Sequence, residues 1–230
     1  ATDGDGTIPV LSALNVPANA SFINNGNGTG TFNFNPDFTQ ANVYNVTFIA
    51  SDGTLADSEV VAITVNNVNR APVLVTIGPR SVNENANLNF GISGSDPDGT
   101  TPTLVAQLVP TNATFTDNAN GTGTFNFNPD FTQAGVYNVR IIASDGSLAD
   151  TEMVAVTVND VNAPPVLVSI GTRSVAEAAN LNFNISATDI DATIPVLTAV
   201  GVPVNASFVN NGNGTGTFDF TPDFTQSGVY

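Results

Sequence analysis

The chain has 230 residues, 41% apolar and only 10% charged, with 20 acidic residues against four arginines and no lysine, histidine or cysteine. A net charge of −16 argues against a nucleic-acid partner, because nothing here could displace counterions from phosphates, and it repels an anionic membrane surface. Disulfides, imidazole or thiolate zinc sites, and Ser–His–Asp or Cys–His catalysis are all excluded by composition, and no apolar run is long enough to cross a membrane.

The phrase TFNFNPDFTQA stands at Thr31–Ala41 and again at Thr124–Ala134, and an edited copy, TFDFTPDFTQS, runs from Thr217 to Ser227. Asp37, Asp130 and Asp223 therefore share one phase of a 93-residue repeat, as do Tyr44, Tyr137 and Tyr230. A unit of that size suits one small β-sandwich with its own core, not a solenoid turn. The expected domains are a partial repeat at 1–70 lacking its first strands, a complete repeat at 71–163, and a partial repeat at 164–230 lacking its last strands. The expectation is a segment of a longer tandem protein.

In chain order, the complete repeat predicts strands at Val73–Ile77, Asn87–Gly94, Thr103–Val109, Ala113–Thr116, Thr122–Asn128, Gly135–Ser144 and Thr151–Asn159. Their apolar residues alternate, as in Tyr137, Val139, Ile141 and Ala143, which argues for half-buried antiparallel strands. The predicted class is all-β, a tandem array of immunoglobulin-like antiparallel sandwiches. The Asn/Gly cluster before each TFNF or TFDF reads as a hairpin turn. Phe125 and Phe127 are expected to face the core with Phe131 closing its end, and Phe32, Phe34 and Phe38 to do the same in the first copy. Asn66–Leu74 and Asn159–Leu167 read as proline-stiffened linkers.

Few motifs suggest chemistry. GNGTG at Gly26–Gly30 lacks the following helix and the lysine of a nucleotide loop. Eight N-x-Ser/Thr sequons begin at Asn19, Asn27, Asn45, Asn112, Asn120, Asn184, Asn205 and Asn213, a by-product of Asn- and Thr-rich composition as readily as glycosylation sites. Paired carboxylates such as Asp96/Asp98 are the groups a glycosidase uses, but the pair recurs at Asp3/Asp5 and Asp189/Asp191, which points to a structural duty and to no enzymatic activity. DPDG at Asp96–Gly99 opens like an EF-hand loop, yet Gln107 occupies the twelfth position, where a bidentate Glu belongs.

The run SVNENANLNF, SDPDGT, NPDFTQAGVYNVRIIASDG and VTVNDVNAPPVL resembles the cadherin-like repeats of large bacterial surface proteins and the related dystroglycan-type and Ig modules. That resemblance implies Ca²⁺ at the junctions between repeats, held by both neighbours and the linker. The second junction would use Glu84, Asp130, Asp160, Asn162, Asp189 and Asp191, and the earlier one Asp37, Asn67, Asn69, Asp96, Asp98 and Asp145. The pattern also departs from the family. Arg70 or Ala163 stands where the linker should continue acidic, Thr39 and Thr132 replace a second acid after the PD aspartate, and Asn67 replaces the aspartate kept at Asp160. The expectation is thus one weak ion per junction or none, with the second junction better furnished. The resemblance further implies an extracellular or cell-surface stalk, whose partners are neighbouring repeats of the same chain. The rival functions are an adhesin module binding carbohydrate or protein, and a filament subunit completed by strands of identical chains.

Overall fold

Most of the alternating pattern is realised as strands, and no helix forms in the computed structural model, which describes residues 1–230. The chain divides into two compact units, Ala1–Arg70 and Ala71–Tyr230.

The first unit contains β1 (Val10–Leu14), β2 (Ala20–Asn24), β3 (Gly30–Phe34), β4 (Asn42–Ser51) and β5 (Ala56–Val65). β1, β4 and β5 form one antiparallel sheet, and β2 and β3 a separate hairpin. Aromatic rings join the two layers. Phe22 and Phe32 lie 5.4 and 5.6 Å from the Phe48 ring, and Phe34 meets Tyr44 edge-on at 5.5 Å. Phe38 does not close this core as expected. It is 59% exposed and lies beneath the Arg70 guanidinium at 5.4 Å, so a cation–π contact takes the place of burial.

The second unit contains a complete two-sheet sandwich over Val73–Asn159. Its strands are β6 (Val73–Leu74), β7 (Arg80–Asn83), β8 (Leu88–Ser95), β9 (Thr103–Gln107), β10 (Ala113–Asp117), β11 (Thr122–Phe127), β12 (Gly135–Ser144) and β13 (Ala149–Asn159). One sheet runs in the order β10-β11-β8-β6 and the other β7-β13-β12-β9. Between them Ile92, Phe125, Phe127, Val139, Ile141, Val154 and Val156 are buried, with the inward parity expected from alternation. Phe131 is only half-buried.

Two features of this sandwich differ from the sequence reading. The first strand stops at Leu74, and the chain then crosses to the opposite sheet, where β7 pairs in parallel with β13 from Val156↔Arg80 to Asn159↔Asn83. Four residues with Val82 as the sole buried apolar side chain give too short a pattern to read as a strand. The crossing is fixed by acids on β13 whose side chains turn inward. Asp150 Oδ2 accepts the Leu74 amide at 2.8 Å, Glu152 Oε1 the Gly78 amide at 2.8 Å, and Glu152 Oε2 the Ile77 amide at 2.9 Å.

The same unit continues through β14 (Val166–Leu167), β15 (Leu181–Thr188), β16 (Ala206–Asn210) and β17 (Thr215–Phe220), a single sheet in the order β14-β15-β17-β16. No ladder joins these strands to β6–β13. The apolar face of this sheet borders a groove of about 880 Å³ lined by Leu181, Phe183, Phe218 and Phe220. Residues 196–200, which share the phase of β9, form no strand, and Val200 is 95% exposed. The β9 strand owes its ladder to β12, and no equivalent of β12 lies beside 196–200.

The repeated glycines have a steric reason. Gly121 holds φ at +78°, and a Cβ there would stand 2.8 Å from the Gly94 carbonyl oxygen, while a Cβ on Gly123 would meet Phe115 Cζ at 2.7 Å. The second glycine of each NGTGTF thus makes room for the aromatic ring of the paired strand.

Candidate functional site

The repeated phrase is a framework device in all three copies. In the complete repeat Asp130 Oδ1 accepts the Thr132 amide at 2.9 Å and the Thr132 hydroxyl at 2.5 Å, and Asp130 Oδ2 accepts Asn112 Nδ2 at 3.1 Å. Buried Gln133 accepts the Asp130 amide and Asn112 Nδ2 through Oε1, and donates from Nε2 to the Thr111 carbonyl at 2.9 Å. The Tyr137 hydroxyl then donates to the Gln133 carbonyl at 3.0 Å. Asp37 with Gln40 and Asp223 with Gln226 repeat these bonds, closing on Tyr44 and Tyr230. Asp37 and Asp130 are therefore held as turn caps.

The Thr132 hydroxyl, chiefly, and then the Thr132 amide hold the Asp130 carboxyl below the ordinary aspartate range, and Asp37 and Asp223 are lowered in the same way. Because the folded state prefers the carboxylate, this stabilisation is present above the unfolded value and is lost as pH falls through the depressed one. In thermal melts from about pH 7 down to about pH 2.5, Asp130→Asn should lower the midpoint at neutral pH, and its difference from the native chain should shrink towards the acid end.

The other expected ligands fall into separate settings. In the first unit, Asn67 is exposed beyond β5, and Asn69 has a bonding partner. In the second unit, Asp96 Oδ1 accepts the Asp98 amide at 2.7 Å while Asp96 Oδ2 is buried without a partner. Asp145 caps the β12–β13 turn, accepting the Ser147 and Leu148 amides, both at 2.7 Å.

A convergence does occur on the linker Asp160–Ala163. The turn after β7 inserts Glu84, only 3% exposed, whose Oε2 accepts the Val161 amide at 3.0 Å. From the far side, Asp191 Oδ2 accepts the Ala163 amide, and Asp189 Oδ1 accepts the Asp191 amide at 2.9 Å. Asn162 Nδ2 donates to the Ala163 carbonyl at 3.1 Å, while Asp160 is exposed. The linker is thus gripped by one carboxylate from each repeat. Glu84 Oε1 remains buried without a hydrogen-bond partner. Such an orphaned oxygen suits a cation, as does the all-oxygen donor set. Nowhere does the fold gather three or more acidic side chains into one metal-holding group, so an ion here would need Asn162 and carbonyl oxygens as well.

The sequence reading missed Asp150, Glu152 and Asp117, whose Oδ2 accepts the Leu104 amide at 3.1 Å. Their signal was present, since each shares the inward parity of apolar neighbours on its strand.

Residues 69–159, which include the complete sandwich, match the bacterial Ig domain family. The second repeat is thus similar to bacterial Ig domains. The chain is also 29% identical over 143 residues to chitinase A of Pseudoalteromonas piscicida, covering 61% of this chain and 17% of that protein. Among solved structures it is similar to an endo-fucoidan hydrolase of glycoside hydrolase family 107, with a TM-score of 0.38 and 18% identity over 98% of this chain and 36% of that one. It is also similar to the three-domain titin fragment I67–I69, with a TM-score of 0.36 and 12% identity over 97% of this chain and 82% of that one. No helix of the chain is long and apolar enough to cross a membrane.

Proposed function

We propose that this chain is a stretch of tandem bacterial Ig-like spacer in an extracellular or cell-surface protein, projecting or connecting other parts instead of catalysing. The observation that carries this reading is the fate of the repeated phrase. In every copy its aspartate and glutamine bond to their own framework and the glutamine carbonyl accepts the tyrosine hydroxyl, and in the second repeat Phe125 and Phe127 lie in the core. Such a module is reused for the length it adds. The likeness to a small part of a chitinase supports an accessory setting in a secreted polysaccharide-active protein. Antibody raised against the chain should label intact cells of the source organism, and protease added outside should remove the label. Label seen only after permeabilisation would sink the reading.

Within that role, the junction between the second and third repeats takes one Ca²⁺-class ion. Glu84, Asp191 and the side-chain oxygen of Asn162, completed by carbonyl oxygens, would hold it. Bound there, the ion would couple the repeats by sharing ligands across the linker and would relieve the buried Glu84 oxygen. Calcium should raise the melting midpoint of the 230-residue chain, chelator should reverse the rise, and Glu84→Gln should abolish it. A midpoint indifferent to chelation removes the ion and leaves the spacer role intact. The open groove beside Phe183 and Phe220 favours the rival of strand complementation by an identical chain, which would show as concentration-dependent association.

A further inference from the structure

We propose that the outer face of the β8–β11–β10 sheet in the second repeat is a docking surface for a neutral, uncharged polysaccharide. Outward parity builds this face from two paired rows. Thr114, Asn126 and Asn89 lie side by side across the three strands, and Thr116, Thr124 and Gly91 form the next row. In a protein with 20 acidic residues this surface carries none. The one acid on these strands, Asp117, belongs to the inward set, and its carboxylate is taken up by the Leu104 and Ala119 amides. The chain's net charge of −16 repels polyanions, so an uncharged plane on it favours an uncharged partner.

The plane is organised for hydrogen bonding. Asn126 Oδ1 accepts from Asn87 Nδ2 at 3.1 Å and from Asn128 Nδ2 at 3.0 Å, and Asn87 Nδ2 also donates to Asn128 Oδ1 at 2.8 Å. With its carbonyl occupied, Asn126 keeps an amide NH₂ that makes no bond within the protein, beside threonine hydroxyls that both donate and accept. Sugar hydroxyls have the same dual capacity. The continuous antiparallel registers of β8 and β10 on β11 give a surface without a bulge, and no aromatic side chain has outward parity on it, so contact is through hydrogen bonds and not ring stacking.

Gly91 supports the same conclusion. A glycine inside a strand weakens it, and it is usually excused by a special φ or by crowding. Gly91 has neither, since a Cβ there would meet nothing within 4 Å. It leaves a shallow seat on β8 beside the central strand β11, directly opposite Thr124, where a polymer chain can approach the backbone. In the third repeat the corresponding positions are Asn184 and Asp219, and Asp219 brings a charge to the centre of the face, tied there by Asn180 and Asn182 at 3.0 and 2.8 Å. The surface therefore belongs to the second repeat.

The test is depletion of the whole 230-residue chain from solution by insoluble chitin and by cellulose, with a sulfated polysaccharide matrix as the anionic arm. Retention on at least one neutral matrix and not on the sulfated one is expected. Thr124→Asp should lower that retention roughly tenfold, the scale of losing a hydrogen bond and gaining an unpaired charge. Gly91→Tyr, which fills open space and so should fold normally, should lower it as well. Val136→Asp puts the same charge on an exposed position of the opposite sheet and should leave retention unchanged. Melting curves confirm that each variant is folded. The proposal is overturned by no retention on either neutral matrix, by equal retention of all variants, or by retention on the sulfated matrix alone.

Discussion

Replacing Phe127 with alanine is expected to destabilise the 71–230 unit by about 3–5 kcal/mol, the range for a buried aromatic that leaves a cavity. Phe127 has no exposed surface. It sits on the central strand β11, opposite Ala113 on one side and Leu88 on the other, and its ring meets Tyr137 edge-on at 5.7 Å. Neighbours on three sides are anchored in ladders and cannot collapse into the space. Phe34 has the same place in the first copy and the same edge-on partner in Tyr44, but it is only half-buried. Phe34→Ala should therefore cost its unit less, because partial exposure has already given up part of the transfer free energy. Urea unfolding of the two variants, with unchanged m-values, checks both expectations.

That contrast shows what was legible in the sequence and what was not. The parity of Phe125 and Phe127, the hairpin before them and the strand Gly135–Ser144 were all readable, because alternation and Asn/Gly turns are local properties. The degree of burial was not, since it depends on which strands lie across the core. Phe38 and Phe131 hold the same phase, yet Phe38 lies exposed under Arg70. Three of the four arginines end over a phenylalanine ring, with Arg80 at 5.2 Å from Phe90 and Arg173 at 5.5 Å from Phe183. No spacing rule in one sequence announces such pairings.

The candidate site was legible in the same uneven way. Resemblance selected Glu84 and Asp191, and these two carboxylates do converge on the linker. It also selected Asp130, whose oxygens are committed to Thr132 and Asn112. A carboxylate two residues before a threonine satisfies a turn as readily as it binds a cation, and residue type alone does not separate the two uses. Gln133 drew no notice as a polar residue in a loop, although it is the buried hub joining Thr111, Asn112, Asp130 and Tyr137.

Glu152→Ala should destabilise the same unit by about 2–4 kcal/mol, more than any exposed carboxylate in it. Its two oxygens hold the amides of Ile77 and Gly78 where the chain passes from one sheet to the other, and Ile77 is buried. Without the carboxylate those part-buried donors lose their acceptor, and each bears part of its desolvation penalty. Loosening that crossing should also weaken β7, whose parallel ladder on β13 begins at Arg80. Hydrogen exchange should therefore quicken first at Ile77 and Gly78 and then along Arg80–Asn83, with β11 and β12 little changed. Glu152→Gln keeps one acceptor oxygen and should cost less. Glu59 has the same phase in the first unit but is exposed and holds no such crossing, so Glu59→Ala should change stability by no more than about 0.5 kcal/mol. Equal effects at the two positions would mean that strand propensity, and not the captured amides, sets the energy of Glu152.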